Sequence, residues 1–268
     1  MAKKGGLVIY WDYELQNGAD VSIPNPKKWG MQDYIQTDFI LKELKKRDIK
    51  TCFAALAVTT EKGDLPYHAS DQVAQMDEEG HEVASHSYDH RRLSLVEYSV
   101  LVNDLKKSKN VIEKTVKNEC ISFVPPWNKP QRFLGMDFDV NSRLTSFRFT
   151  KLKHKDICKG LNEAGFKTYR NCFYSLFGKD NLSRLGVNSG IVCIPLYINA
   201  GFGFLARKLV DKAIKSKGLA VLYEHPWNLS NMGKGNQRDF INFLDYIKKQ
   251  RDRNNLDILL PRDFIENA

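Results

Sequence analysis

The chain has 268 residues, 42% of them hydrophobic, and a formal net charge of +9. That is enough for a sizeable core and lies within the range of one α/β barrel, so a single domain over residues 1–268 is expected. The charge favours anionic company, but the lysines gather in runs that read as solvated helix faces (42–50, 106–117, 248–253). No helix-turn-helix, zinc-finger or aromatic-basic strand pattern accompanies them, which argues against nucleic acid as a partner.

Five scattered cysteines (Cys52, Cys120, Cys158, Cys172, Cys193) form no Cys-x-x-Cys, so neither a disulfide framework nor a thiolate metal site is implied. Met1 to Gly6 lead directly into a strand-like segment, without the apolar core of a signal peptide. No apolar run nears transmembrane length, and the expected setting is the cytoplasm.

In chain order, Leu7 to Trp11 read as a short buried strand, apolar on both faces, that stops at Asp12-Tyr13-Glu14. Carboxylates two residues apart at a strand's C-terminal end point to one side, and that end of a barrel is where chemistry is done. The alternative is that they merely cap or solvate the strand. A polar loop over 16–30 precedes a helix over 33–47, with Tyr34, Phe39, Ile40, Leu41 and Leu44 on or near its apolar face.

A second strand over 50–56 and a helix over 72–79, stopped by Gly80, lead into the strand that delivers His86-Ser87-Tyr88-Asp89-His90. A helical turn there would project both imidazoles from one face, two of the three protein ligands that an open catalytic metal site needs. Otherwise the two histidines share a surface loop by coincidence. Ser94-Leu95-Val96-Glu97 has the form of a capping box opening a helix to about Lys117.

Cys120 to Val124 read as a strand ended by Pro125-Pro126, followed by Trp127-Asn128. Residues 131–149 give no clear pattern. A helix over 154–164, a strand over 166–170, a loop over 172–189 and a strand over 191–198 continue the alternation. A helix to about Ser216 follows, then a strand from Leu219 to Glu224 that runs into His225-Pro226-Trp227-Asn228. A helix over 238–250 and a strand over 256–260 close the chain. Seven or eight strand–helix alternations indicate an α/β fold, a (β/α) barrel with parallel strands. Trp127-Asn128 and Trp227-Asn228 stand at the ends of two strands, and aromatic faces beside amides suit a sugar. Both tryptophans could equally be core.

Taken together these motifs resemble the polysaccharide deacetylase family, carbohydrate esterase family 4, which shares the NodB-type domain. His86-Ser87-Tyr88-Asp89-His90 matches the family's His-(Ser/Thr)-x-x-His without change. Tyr10 to Glu14 stand for Thr-Phe-Asp-Asp-Gly, Phe123 to Trp127 for Phe-Arg-Pro-Pro-Tyr, and Val221 to His225 for a late Leu-Leu-His. The resemblance implies a distorted (β/α)7-type barrel with parallel strands, a metal held by Asp-His-His, and hydrolysis of an N- or O-acyl group on a sugar.

On that pattern His86 and His90 are metal ligands and His225 is the general acid. The metal is a divalent ion, most simply zinc, with cobalt, nickel or manganese as further candidates. Two departures stand out. Tyr13 occupies the second Asp position, which would pass the ligand role to the longer Glu14 and leave Asp12 as base. Val124 replaces the family's Arg, which would leave the base without a cationic partner and let its pKa rise.

The expected substrate is an acetylated or formylated amino sugar, on a nucleotide- or lipid-linked intermediate of surface-polysaccharide assembly. Two other readings remain. Gly201-x-Gly203-x-x-Ala206 with Glu224 has the form of a dinucleotide-binding turn, although Pro195 in the preceding strand speaks against a nicotinamide-dependent dehydrogenase. The altered motifs would also suit a non-catalytic carbohydrate-binding protein built on a degenerate deacetylase domain.

Overall fold

Alternation along the first strand sorts the whole core. Leu7, Ile9, Trp11 and Tyr13 point outward and join the larger apolar cluster under the helices. Val8 and Tyr10 point inward, to a smaller cluster with Cys52, Ala54, Ala84, Val124, Ile194, Leu196 and Val221. Because side chains alternate with period two, the next inward positions after Val8 and Tyr10 are Asp12 and Glu14.

The computed structural model describes residues 4–22, 28–133, 136–141, 146–173, 185–196, 201–231 and 235–265. Its elements in chain order are β1 (Gly5–Tyr13), α1 (Leu15–Ser22), α2 (Trp29–Lys45), β2 (Cys52–Ala55), α3 (Ser70–Glu78), β3 (Glu82–Ser85) and α4 (Tyr98–Ile112). Then come β4 (Ser122–Phe123), β5 (Gln131–Phe133), β6 (Met136–Asn141), β7 (Ser146–Phe149), α5 (His154–Glu163), β8 (Thr168–Phe173) and β9 (Gly186–Asn188). The last are β10 (Ile191–Leu196), α6 (Phe204–Ser216), β11 (Leu219–Glu224), α7 (Gln237–Asp252) and β12 (Leu256–Ile258).

Seven strands run parallel in the order β11-β1-β2-β3-β4-β8-β10. Among the described residues β10 and β11 do not pair, so the sheet curls into a half-barrel. Further strands extend it: β5 adds in parallel beside β8 and continues into an antiparallel meander with β6 and β7, β9 pairs β10 antiparallel, and β12 adds in parallel to the start of β1. The expected α/β barrel with parallel strands is what forms, with these additions making the sheet mixed.

The structure departs from the sequence expectations at three places outside the site. Residues 16–30 hold α1 and the start of α2 rather than a loop, with 23–27 outside the described residues. A polar run becomes helical there because the buried Asp33 carboxylate of α2 accepts the Leu15 N–H at 3.0 Å and satisfies a donor at the helix start. The capping box at Ser94 does not form. Ser94 lies in a 3-10 turn, α4 starts at Tyr98, and Glu97 pairs with Lys151 at 2.7 Å instead of bonding backbone. The dinucleotide reading fails as well, because the strand order runs around the sheet without the reversal at which such cofactors bind. Pro195 sits in β10, beyond the residues that pair with β9. Most of the loop expected at 172–189 and the end of the strand expected at 197–198 fall outside the described residues.

His81 shows how burial fixes a protonation state just ahead of β3. Its Nδ1 accepts the Thr51 N–H at 3.1 Å, so the hydrogen sits on Nε2, which is buried without a partner. Burial and the neighbouring Lys50 push its pKa down to about 4. A histidine held neutral in the fold contributes stability above its unfolded value that is lost as pH falls towards the folded one. Urea titrations from pH 7 to pH 4 should therefore show a loss of up to roughly 3 kcal/mol from this group. His81→Gln, which keeps an acceptor, should flatten that part of the profile.

Candidate metal centre and active site

The inward positions of β1 deliver two carboxylates to the C-terminal rim of the sheet. Asp12, 2% exposed, makes a bidentate ion pair with Arg170, whose two terminal nitrogens lie 2.7 Å from its oxygens. Arg170 is fully buried on β8 and donates a further bond to Asn128 Oδ1 at 2.8 Å. Burial works against the Asp12 charge, but the Arg170 guanidinium with His86 behind it lowers the carboxyl pKa below its ordinary value. This corrects the expectation from Val124. The base position does have a cationic partner, supplied from β8, and the pKa moves down rather than up.

Glu14 lies one turn of the pleat further on. Its Oε1 is 3.2 Å from His86 Nε2, 3.1 Å from His90 Nε2 and 3.2 Å from His225 Nε2. Burial opposes its ionisation, yet His90 and His225 hold its carboxyl well below the usual carboxylate range. Gly18 of α1 packs directly on this carboxylate, and a Cβ there would collide with Glu14.

His86 and His90 do meet, but no helical turn brings them together. Ser87 (φ 70°) and His90 (φ 63°) adopt left-handed backbone in an irregular loop, leaving the two ring centroids 5.3 Å apart. His86 Nδ1 lies 2.9 Å from the Val124 carbonyl and donates to it as an N–H, which turns the Nε2 lone pair towards Glu14. His90 Nε2 is buried, 3.1 Å from Glu14 Oε1, and makes no hydrogen bond. Two imidazole nitrogens facing a carboxylate, one of them an orphaned acceptor, fit a divalent cation held between them. Glu14, His86 and His90 offer ligand atoms within 4.8 Å of one another, as do Asp12, Glu14 and His225.

His225 differs from the other two imidazoles in access. Its side chain is 24% exposed, against 1% for His86 and 3% for His90. Burial disfavours its charge, but Glu14, with Asp12 and Asp33 beyond, pushes its pKa up to about 10.

These groups open into a cavity of about 250 Å³ whose lining includes Asp12, Glu14, His90, Trp127, Asn128 and Trp227. Trp127 and Trp227 are half-buried walls rather than core. Trp127 has φ 61°, donates its Nε1–H to the His90 carbonyl at 3.3 Å, and carries the Arg92 guanidinium 4.3 Å above its ring. Trp227 stacks on Trp29, centroids 4.1 Å apart. Asn228 is not brought in: it turns back to donate to the Glu224 carboxylate and does not line the cavity. Tyr13 faces away from the site and donates its hydroxyl to Gln72 at 2.7 Å.

A model of the polysaccharide deacetylase family matches residues 33–132, a span holding His86, His90 and the Pro125-Pro126 turn. Over that span the sequence is similar to the polysaccharide deacetylases. Solved structures share its fold at low sequence identity. One, from Mycobacterium smegmatis and assigned to the polysaccharide deacetylases, superposes with a TM-score of 0.68 at 14% identity, over 99% of this chain and 91% of that one. The carbohydrate esterase family 4 domain of a xylanase from the hindgut metagenome of Trinervitermes trinervoides gives 0.51 at 11% identity, covering 99% and 91%. A family 4 pseudoenzyme from Bacillus anthracis gives 0.53 at 13%, covering 99% and 66%. No curated protein matches the sequence.

Three residues of this candidate site escaped the sequence reading. Arg170 and Trp29 are two, and Asp33 is the third. The Asp33 carboxylate accepts the Leu15 N–H at 3.0 Å and the Trp227 N–H at 2.9 Å, and burial raises its pKa to about 7. Arg170 left the most to read, a charge at the end of a strand-like segment, but its inward direction shows only in the register.

Replacing Arg170 by Met should leave an uncompensated buried carboxylate and cost about 3–5 kcal/mol at neutral pH. A carboxyl pKa that is lowered in the fold contributes stability above the unfolded value, whereas one raised by burial gives stability back on acidification. The deficit of Arg170→Met should therefore shrink as pH falls through the carboxylate range. Denaturant midpoints of chelator-treated protein at pH 7 and pH 4.5 check both statements.

Proposed function

We propose that this chain is a metal-dependent hydrolase that removes an acetyl or formyl group from an amino sugar. The observation that carries the reading is the convergence of His86, His90 and His225 on Glu14 Oε1, beside an Asp12 carboxylate buried against Arg170. The match to the polysaccharide deacetylase family model supports deacylation as the reaction class.

Glu14, His86 and His90 would hold the divalent ion, most simply zinc, with cobalt, nickel and manganese compatible with the same donors. Bound there, the ion acidifies water and polarises the acyl carbonyl as a Lewis acid. Asp12 takes the proton of the attacking water; Arg170 keeps it ionised and fixes both of its oxygens. A departing amine must be protonated, and His225, the most open of the three imidazoles and beside carboxylates that favour its protonated form, would donate that proton. Trp127 and Trp227 flank the apolar face of the sugar. The Arg170 bond to Asn128 Oδ1 leaves the Asn128 amide nitrogen for a hydroxyl.

The net charge of +9 favours an anionic carrier, a nucleotide- or lipid-linked sugar, over a neutral polymer. Five buried cysteines without a disulfide suit a reducing, cytoplasmic setting. No helix among the described residues is long and apolar enough to cross a membrane. The rival reading, a non-catalytic carbohydrate binder, rests on the altered first motif and on the pseudoenzyme that shares the fold. Tyr13 weakens that argument, since it faces outward while Glu14 reaches the histidines.

A base acts in the transition state, whereas a ligand acts in every state. Asp12→Asn should lower turnover by about 10²-fold or more with metal retained, and Glu14→Gln should weaken metal binding itself. Metal analysis beside turnover separates them; full activity in both variants would remove the enzyme reading. Rates on an N-acetylated nucleotide sugar should exceed those on a neutral acetylated oligosaccharide, and the opposite order would overturn the carrier assignment.

A further inference from the structure

On the opposite face of the sheet, between β8, β10 and α5, three buried soft donors meet. His154 and Cys158 lie four residues apart on one face of α5, and Cys193 points out of β10 towards them. His154 Nε2 is 3.8 Å from Cys158 Sγ and 3.9 Å from Cys193 Sγ, and the two sulfurs are 3.9 Å apart. A tetrahedral zinc ion with Zn–S of about 2.3 Å and Zn–N of about 2.05 Å needs edges of about 3.8 Å between sulfurs and about 3.6 Å between sulfur and nitrogen. The observed triangle is within a few tenths of an ångström of that face. A disulfide would instead need the sulfurs at about 2.0 Å, a closure of nearly 2 Å.

The fourth side faces Asn171. Its amide nitrogen lies 3.5 Å from His154 Nε2, and its Oδ1 is buried with no hydrogen-bond partner. A half-turn of the amide would present that oxygen to the same point. The second ring nitrogen of His154 lies 3.4 Å from the Asn188 amide nitrogen, and a half-turn of that amide would bring its oxygen there to accept the ring N–H of a ligating imidazole.

We propose that His154, Cys158 and Cys193 form a second metal site, a Cys2His set for a thiophilic divalent ion, zinc by preference, closed by the Asn171 carbonyl oxygen or a water. Binding moves the two thiol protons to solvent and leaves two thiolates on the ion, with no change of oxidation state. The site is structural. It clips α5 to the pair β8–β10, and Asn171 directly follows Arg170 on β8, so the clip fixes the strand that holds Asp12. It does not depend on the deacylase reading.

Cobalt distinguishes the two centres, because only a thiolate site gives sulfur-to-cobalt charge-transfer absorption. Reduced, metal-stripped protein is titrated with Co2+ under anaerobic conditions, followed by absorption and native mass. The wild type should take up two ions and show the charge-transfer band. The double variant His86→Ala/His90→Ala should take up one and keep the band, and Cys158→Ser/Cys193→Ser should lose the band and keep one ion. Absence of the band from the wild type overturns the site, whether or not the serine variants fold. So does a band that survives in the serine variant, or a Cys158–Cys193 disulfide in protein purified without added oxidant. Failure of the catalytic centre would appear separately, as a wild type that keeps the band but binds a single ion.

Discussion

Asp12 and Arg170 carry opposite charges in a place where the sheet gives water almost no access to either. Desolvating such a pair is costly, and it is offset only by good geometry and by hydrogen bonds that use the remaining donors. Here the fork is bidentate, and one terminal nitrogen also reaches Asn128. The guanidinium lies 5.1 Å from the Tyr10 ring and 4.6 Å from the Tyr223 ring, so aromatic faces take part of the solvation that water would have given. One cation thereby joins β1, β8, β11 and the turn after β4, and Glu14, two residues beyond Asp12, inherits its position from that junction.

The pattern that the sequence resembles and the site that forms differ in which residue supplies the positive charge. The resemblance gave an Arg in the third motif, and this chain has Val124 there, fully buried and apolar, whose carbonyl accepts the His86 N–H. The positive charge comes from a strand four further along the chain but adjacent in the sheet, since β4 pairs β8. A barrel rim brings neighbouring strands within side-chain reach, so one strand can take over a neighbour's contribution without moving the reacting centre.

Much of the site was legible in the sequence because its chemistry sits at strand ends, where an apolar run stops abruptly. β11 was read to the residue, and the strand ends singled out in the sequence bring His86, His90 and His225 around Glu14. What was illegible depends on tertiary partners. α1 is a polar run, Leu-Gln-Asn-Gly-Ala-Asp-Val-Ser, that reads as loop and is helical because Asp33 satisfies its first turn. Arg170 ends a strand-like segment, where a charge ordinarily marks the exit to solvent; only the register shows that it points inward. Spacing i, i+4 suggested a helical turn for the two histidines, and two left-handed residues achieve the same convergence. Cys158 and Cys193 are 35 positions apart, too far for any sequence motif to join them.

Asp33 ties two things that a substrate would meet separately. One oxygen of its carboxylate holds the backbone just after Glu14 and the other holds the backbone of Trp227, while Trp29 on the same helix stacks on the Trp227 ring. The wall that would recognise a sugar and the ligand that would orient the reacting centre thus share one fastener. Lineages of this fold could not exchange the Trp227 turn for another specificity loop by simple grafting. The graft would have to bring its own N–H to Asp33, or the backbone after Glu14 would shift with it, so a change at this turn is expected to reach the centre of the site as well.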